Sequence, residues 1–192
     1  YGYLKQQETR EWNNLRVIGC LSSSTVLCVG MGDIGTTFGR KMHALGSTVY
    51  GVRRTVHDKP DFVQALYTPD TMDEILPQCD IVALSLPRTR ETDGLFDEKR
   101  MRKMKKGSIL INCGRGTAIV TNDLIKLTQE NWFRGVALDV TDPEPLPKNN
   151  VLWNMPNVFI TPHISGRYNM RETYESVLKI ILRTLSKNSQ NK

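Results

Sequence analysis

The chain has 192 residues, 39% hydrophobic and 24% charged, with a net charge of +6. That balance suits one globular domain and excludes a collagen-like, low-complexity or disordered polymer. No apolar run approaches the ~18 to 20 residues of a membrane span, and no secretory h-region is read at the start, so no membrane partner is expected.

The cysteines, Cys20, Cys28, Cys79 and Cys113, show no C-x-x-C pairing. Cys28 and Cys113 lie in apolar, strand-like runs and read as small core residues. Neither zinc nor a disulfide is expected, no metal site is assigned, and a reducing, cytoplasmic compartment fits. The basic run 99–106 carries Met101 and Met104 three apart, as on a helix with a solvated basic face. It has no interleaved aromatics to stack on bases, so no nucleic-acid partner is expected. A start at Tyr1 rather than Met reads as a piece of a longer chain.

Residues 1–14 are polar, with Tyr3, Leu4 and Trp12 as apolar anchors, and predict a helix on the outside of a domain. Thr25 to Val29 reads as a short buried strand running into Gly30-Met31-Gly32-Asp33-Ile34-Gly35, the pattern G-x-G-x-x-G. Thr36 to Leu45 follows as a helix, with Ile34, Phe38, Met42 and Leu45 as its apolar stripe and Gly46 at its end. In this strand–turn–helix setting Gly30 permits the tight turn. Gly32 lets a pyrophosphate approach the backbone, Gly35 lets helix and strand pack closely, and the helix N-terminus faces the phosphate.

Ser47 to Arg53 reads as a second strand whose end faces the adenosine ribose, about 20 residues beyond the motif. An NAD-specific site places an acid there, which accepts from the ribose 2′-OH and repels a 2′-phosphate. Arg53 and Arg54 stand there instead; guanidinium groups fork onto phosphate, which favours NADP over NAD.

Further along, Leu66 and Tyr67 predict a short strand and 68–76 a short helix with Pro77 past its end. Asp80 to Pro87 predicts a buried strand, with 88–94 lining the cofactor cleft, and 97–105 a helix. Strands over 108–112, 135–140 and 158–160 and a helix over 121–129, capped by Thr121 or Asn122, complete the alternation. Residues 167–185 predict a long terminal helix with Tyr174, Val177, Leu178, Ile181 and Leu185 on its apolar face. Alternating strands and helices make the fold class α/β, a doubly wound parallel sheet. The divisions are 1–24 as crossover helix and linker, 25–166 as dinucleotide-binding domain, 167–185 as return helix and 186–192 as polar tail.

Three polar residues follow the later strands: Arg115 in CGRG, Glu144 in DPEPLP and His163 in TPHISG. Parallel strands would bring all three to the edge that carries the glycine turn. Singly each has a bland reading, as a surface charge, a rigid loop residue or a structural histidine. Together beside a dinucleotide they fit ketone reduction. Hydride arrival puts charge on the carbonyl oxygen, so an acid must deliver a proton. Histidine serves near neutral pH, an adjacent carboxylate favours a protonated imidazole, and arginine holds a carboxylate and polarises a carbonyl.

These motifs, VGMGDIG, LSLPRTRETDGLFD, MKKGSILINCGRG, ALDVTDPEPLP and ITPHISG, stand in one order across nearly the whole chain. They resemble the nucleotide-binding domain of the D-isomer-specific 2-hydroxyacid dehydrogenases, most of all the glyoxylate/hydroxypyruvate reductase and phosphoglycerate dehydrogenase-like branches. The resemblance implies a Rossmann-type NAD(P)-binding domain of an enzyme moving a hydride between NAD(P)H and a 2-oxo acid. It implies that Arg115 binds the substrate, His163 is the acid/base and Glu144 pairs with it. Gly30, Gly32, Asp33, Ile34, Gly35, Arg53, Arg54, Leu86, Pro87, Thr89, Cys113, Asp139, His163 and Ser165 would hold the cofactor, Asp139 at the nicotinamide carboxamide. Arg53 in place of the usual acid departs from the family and puts NAD preference in doubt. The family's substrate domain is expected to be absent, leaving this chain able to bind cofactor and poorly able to turn over. Self-association as a homodimer through this domain is also implied. The family resembles corepressors of the same fold, so a dinucleotide-sensing interaction module is the alternative. Formate dehydrogenase, a further relative, has glutamine where Glu144 stands.

Overall fold

The structure is a computed structural model that describes residues 2–15, 19–56 and 58–166. The predicted helix over 167–185 and tail over 186–192 lie outside the described residues.

Seven parallel strands form one sheet: β1 (Thr25–Val29), β2 (Thr48–Val52), β3 (Val63–Tyr67), β4 (Ile81–Leu84), β5 (Ile109–Asn112), β6 (Gly135–Leu138) and β7 (Val158–Ile160). Their order is β3-β2-β1-β4-β5-β6-β7, a doubly wound Rossmann-like sheet. The chain leaves β1 toward β2 and β3 on one side, then crosses to β4 and continues outward. Val29 pairs with Val52 and with Leu84, so all three of these strands end at one level beside the first turn.

The alternation of side chains builds two cores from one strand. In β1, Leu27 and Val29 join the cluster that holds Val82, Leu84, Leu110, Val136, Met101 and Leu124. Val26 and Cys28 face the other way, with Met42, Val49 and Ile81. Helix α2 (Asp33–Ala44) covers that second face through Gly35, Gly39 and Met42. Helices α3 (Glu98–Met101) and α4 (Thr121–Gln129) supply Met101, Leu124 and Leu127 to the first. Burying each such large apolar side chain contributes about 1.5–3 kcal/mol.

Several local expectations are corrected. The N-terminal helix α1 spans Gly2–Thr9 and buries no residue; Tyr3 and Leu4 are exposed and Trp12 is wholly so, so none is an anchor among the described residues. Helix α2 begins at Asp33, inside the glycine motif, and Ile34 and Leu45 are exposed rather than part of its apolar stripe. The expected helix over 68–76 is two 3-10 turns, Met72–Glu74 and Leu76–Gln78, with Pro77 at the start of the second rather than past an end. The helix expected over 97–105 stops at Met101, although Met101 and Met104 both still point into the core. Helix α4 has Val120 at its cap, because the Thr121 hydroxyl donates instead to the Asp142 carbonyl.

Four of the six basic residues in the run pair with carboxylates of the chain. Asp73 meets Arg100 at 2.8 Å and Lys103 at 2.7 Å, Arg102 bridges Glu98 and Glu130, and Lys105 meets Asp80. Cys28 and Cys79 are buried and their thiols are pushed up to about 12, chiefly by that burial. Among the described residues no helix is long and apolar enough to cross a membrane.

Candidate active site

β1 hands the chain to Gly30, whose φ of 94° lies in the left-handed region that favours glycine. Its N–H donates to the Val52 carbonyl, and its own carbonyl accepts from Ser85 Oγ at 2.8 Å. A Cβ on Gly35 would overlap that same Gly30 carbonyl, so helix and turn touch backbone to backbone. Gly32 differs: a Cβ there would meet nothing within 4 Å. It caps α2 and leaves open space in front of the helix N-terminus, where Asp33 and Ile34 are exposed.

That space continues into a cleft of about 440 Å³. Its walls bring together Gly30, Gly32, Arg53, Arg54, Leu86, Pro87 and Thr89, and Glu91 and Thr92 line it as well. Arg53 is half-buried; its guanidinium donates to the Met31 carbonyl at 3.3 Å and the Asp58 carbonyl at 3.1 Å. It thereby ties the glycine turn to the loop after β2. Arg54 is exposed beside it.

The remaining candidates lie further along the same sheet edge, at the ends of β5, β6 and β7. Cys113 is half-buried beside Leu84, its thiol raised chiefly by burial. Buried Asn112 accepts from Gly114 N–H and donates to the Arg115 carbonyl at 3.0 Å, fixing the backbone of the CGRG turn. Arg115 itself is exposed, with one guanidinium nitrogen on the Gly114 carbonyl.

Glu144 Oε1 lies 2.7 Å from His163 Nδ1. An ionised carboxylate can only accept, so with Glu144 ionised Nδ1 carries the hydrogen; Nε2 has no hydrogen-bond partner among the described residues. His163 has φ 54°, and its N–H donates to the Asp139 carbonyl. The Asp139 side chain holds the same loop. Oδ1 accepts from Thr161 Oγ1 and Ile164 N–H, and Oδ2 from Ser165 N–H and Ser165 Oγ, at 2.6 to 3.0 Å. Burial alone raises such a carboxyl, but these bonds outweigh it and bring Asp139 down to about 2. Asp139, expected at the nicotinamide, is thus already engaged by the chain's own donors. Sequence reasoning missed Ser85, Asn112 and Thr161, which act by positioning; only their places at strand ends marked them.

Residues 1–165 match the family described as D-isomer specific 2-hydroxyacid dehydrogenase, NAD binding domain. The chain belongs to the D-isomer-specific 2-hydroxyacid dehydrogenases. It is 36% identical over 163 residues to a glyoxylate reductase of Thermofilum pendens, covering 83% of this chain and 48% of the relative. Among solved structures, phosphoglycerate dehydrogenase from Lactobacillus plantarum matches with a TM-score of 0.81 at 34% identity, covering 88% of this chain and 54% of that one. A probable 2-hydroxyacid dehydrogenase from Rhizobium etli, in complex with NADP, HEPES and L(+)-tartaric acid, matches with a TM-score of 0.86 at 30% identity. That likeness covers 97% of this chain and 60% of the other. The chain spans about half the length of the curated relatives it matches. As a dehydrogenase NAD-binding domain it fits its cofactor on its own geometry. The open space over Gly32 admits a pyrophosphate, and the adjoining cleft leads to two arginines.

Proposed function

We propose that this chain is the cofactor half of an oxidoreductase that reduces 2-oxo acids to D-2-hydroxy acids with NADPH in preference to NADH. The observation that carries the reading is the Glu144–His163 pair at 2.7 Å, on the sheet edge that also carries the open glycine turn. When bound, the nicotinamide supplies the hydride. The chain's residues do the rest. The α2 N-terminus and the N–H groups around Gly32 receive the pyrophosphate, and Arg53 and Arg54 take the adenosine end. Arg115 pairs with the substrate carboxylate and withdraws charge from the carbonyl. His163, its Nδ1 turned to Glu144, gives the proton on Nε2 to the carbonyl oxygen as charge develops there. In the reverse direction Nε2 accepts the hydroxyl proton.

Side-by-side calorimetric titration with NADPH and NADH tests the cofactor half of the proposal. Tighter NADPH is expected; tighter NADH would keep the family and overturn the preference. Consumption of NADPH with glyoxylate or hydroxypyruvate by the full-length protein tests the reaction. Self-association through this domain belongs to the same proposal on the family resemblance, and sedimentation velocity reads it directly.

A further inference from the structure

Between the cofactor cleft and Arg115 runs a second set of bonds. Thr92 Oγ1 accepts from Thr89 N–H at 2.8 Å and donates to the Pro87 carbonyl at 2.7 Å, and Asp93 N–H donates to the Thr89 carbonyl. Residues 87–93 are therefore a closed loop, and Pro87, Thr89 and Thr92 face the cleft. The next residues are laced to the segment that follows Arg115. Thr117 Oγ1 donates to Asp93 Oδ1 at 2.5 Å, and Gly94 N–H donates to the Thr117 carbonyl at 2.7 Å. Phe96 and Ile119, both buried, continue the parallel contact. Thr117 lies in the 3-10 turn Gly116–Ala118, which Arg115 caps. A Cβ on Gly116 would overlap the Thr141 carbonyl, so the turn is also wedged against the chain after β6.

We infer that Asp93, acting through Thr117, is a positioning residue that carries cofactor occupancy to Arg115. The inference rests on the function proposed above. A cofactor packed against Pro87 and Thr89 restricts the 87–93 loop. The Asp93–Thr117 bond is the side-chain link by which that restriction reaches the turn holding the substrate arginine. The backbone ladder over 94–96 keeps the two segments adjacent. The added side-chain bond holds the turn two residues after Arg115, and at a substrate-holding residue a displacement of about 1 Å lowers reaction rates about 100-fold. The partners are part-exposed, and Arg88 stands 3.5 Å from the other Asp93 oxygen, so the bond contributes more to placement than to stability.

The test is amide hydrogen exchange with and without NADPH, on the wild type and on Asp93→Ala, Thr117→Val and Thr117→Ser. In the wild type NADPH is expected to slow exchange in both 87–93 and 116–120, the latter by about tenfold, a coupling usual for residues in contact. Thr117→Ser keeps the hydroxyl and retains the effect. Asp93→Ala and Thr117→Val keep the slowing in 87–93 and lose it in 116–120. In turnover by the full-length protein those two variants raise KM for the oxo acid and leave KM for NADPH in place. Slowing of 116–120 that persists in Thr117→Val, or that is missing from the wild type while 87–93 responds, overturns the inference and leaves the proposed function standing. Faster exchange of 116–120 in the variants to the same degree with and without NADPH reduces the bond to a structural one and also overturns it. A flat NADPH titration overturns both.

Discussion

Glu144 and His163 follow different strands, β6 and β7, and meet at 2.7 Å between Oε1 and Nδ1 with both side chains near half exposed. The pair is reachable from outside, as the proposed acid has to be. Replacing His163 by Ala is expected to lower turnover of 2-oxo acid by about 100- to 10,000-fold, the usual worth of a positioned acid. Cofactor affinity should fall far less than turnover does. Steady-state rates beside an NADPH titration check this, and retained turnover would remove His163 from the acid role.

The two glycines that flank the α2 start should respond in opposite ways. Gly35→Ala forces a Cβ into the Gly30 carbonyl and is expected to cost about 1–3 kcal/mol or more of stability, read as a lowered Tm. Gly32→Val meets open space, so the fold should survive while cofactor binding is lost. An unaltered NADPH titration in Gly32→Val would displace the pyrophosphate from this turn.

Arg53 and Arg54 separate into two jobs. Arg53 is bonded to the Met31 and Asp58 carbonyls, whereas Arg54 is exposed at the cleft wall. Arg54→Gln should weaken NADPH about tenfold relative to NADH, as a lost charge-assisted bond implies. Arg53→Asp should lower the same ratio further and also weaken NADH, since it releases the glycine turn. Equal effects on both cofactors from Arg54→Gln would refute a 2′-phosphate contact.

Acid should loosen the His163 loop through Asp139. Its folded pKa, about 2, is depressed from the ordinary 3.8, so its contribution is complete above the unfolded value and is lost as pH falls from about 4 toward 2. The shift corresponds to about 2 kcal/mol. Asp139→Asn is expected to be less stable at neutral pH and to show a shallower loss of stability across that acid range. Denaturation at a series of pH values decides it, and parallel curves for the two proteins would contradict Asp139's hold on the loop.

How far the sequence could be read follows the range of the interactions. β1 is the strand expected at Thr25–Val29 and α4 the helix expected at Thr121–Gln129, because period and propensity act within a few residues. The glycine turn was legible for the same reason, since backbone conformation at Gly30 is a local demand. Local rules failed where distant partners intervened. Asp73 in the first 3-10 turn is held by Arg100 and Lys103 from another segment, and Thr121 leaves its capping position for the Asp142 carbonyl.

The sequence by itself therefore determined an α/β chain with a glycine turn between strand and helix and named Arg115, Glu144 and His163 as polar residues at strand ends. Only the tertiary structure decided their relationships. The order β1-β4-β5-β6-β7 sets Glu144 against His163, closes Asp139 onto the loop from Thr161 to Ser165, and lays Asp93 on Thr117. Those contacts join segments far apart in the chain. Which strands become neighbours depends on the burial of both faces of the whole sheet, a property no local pattern carries.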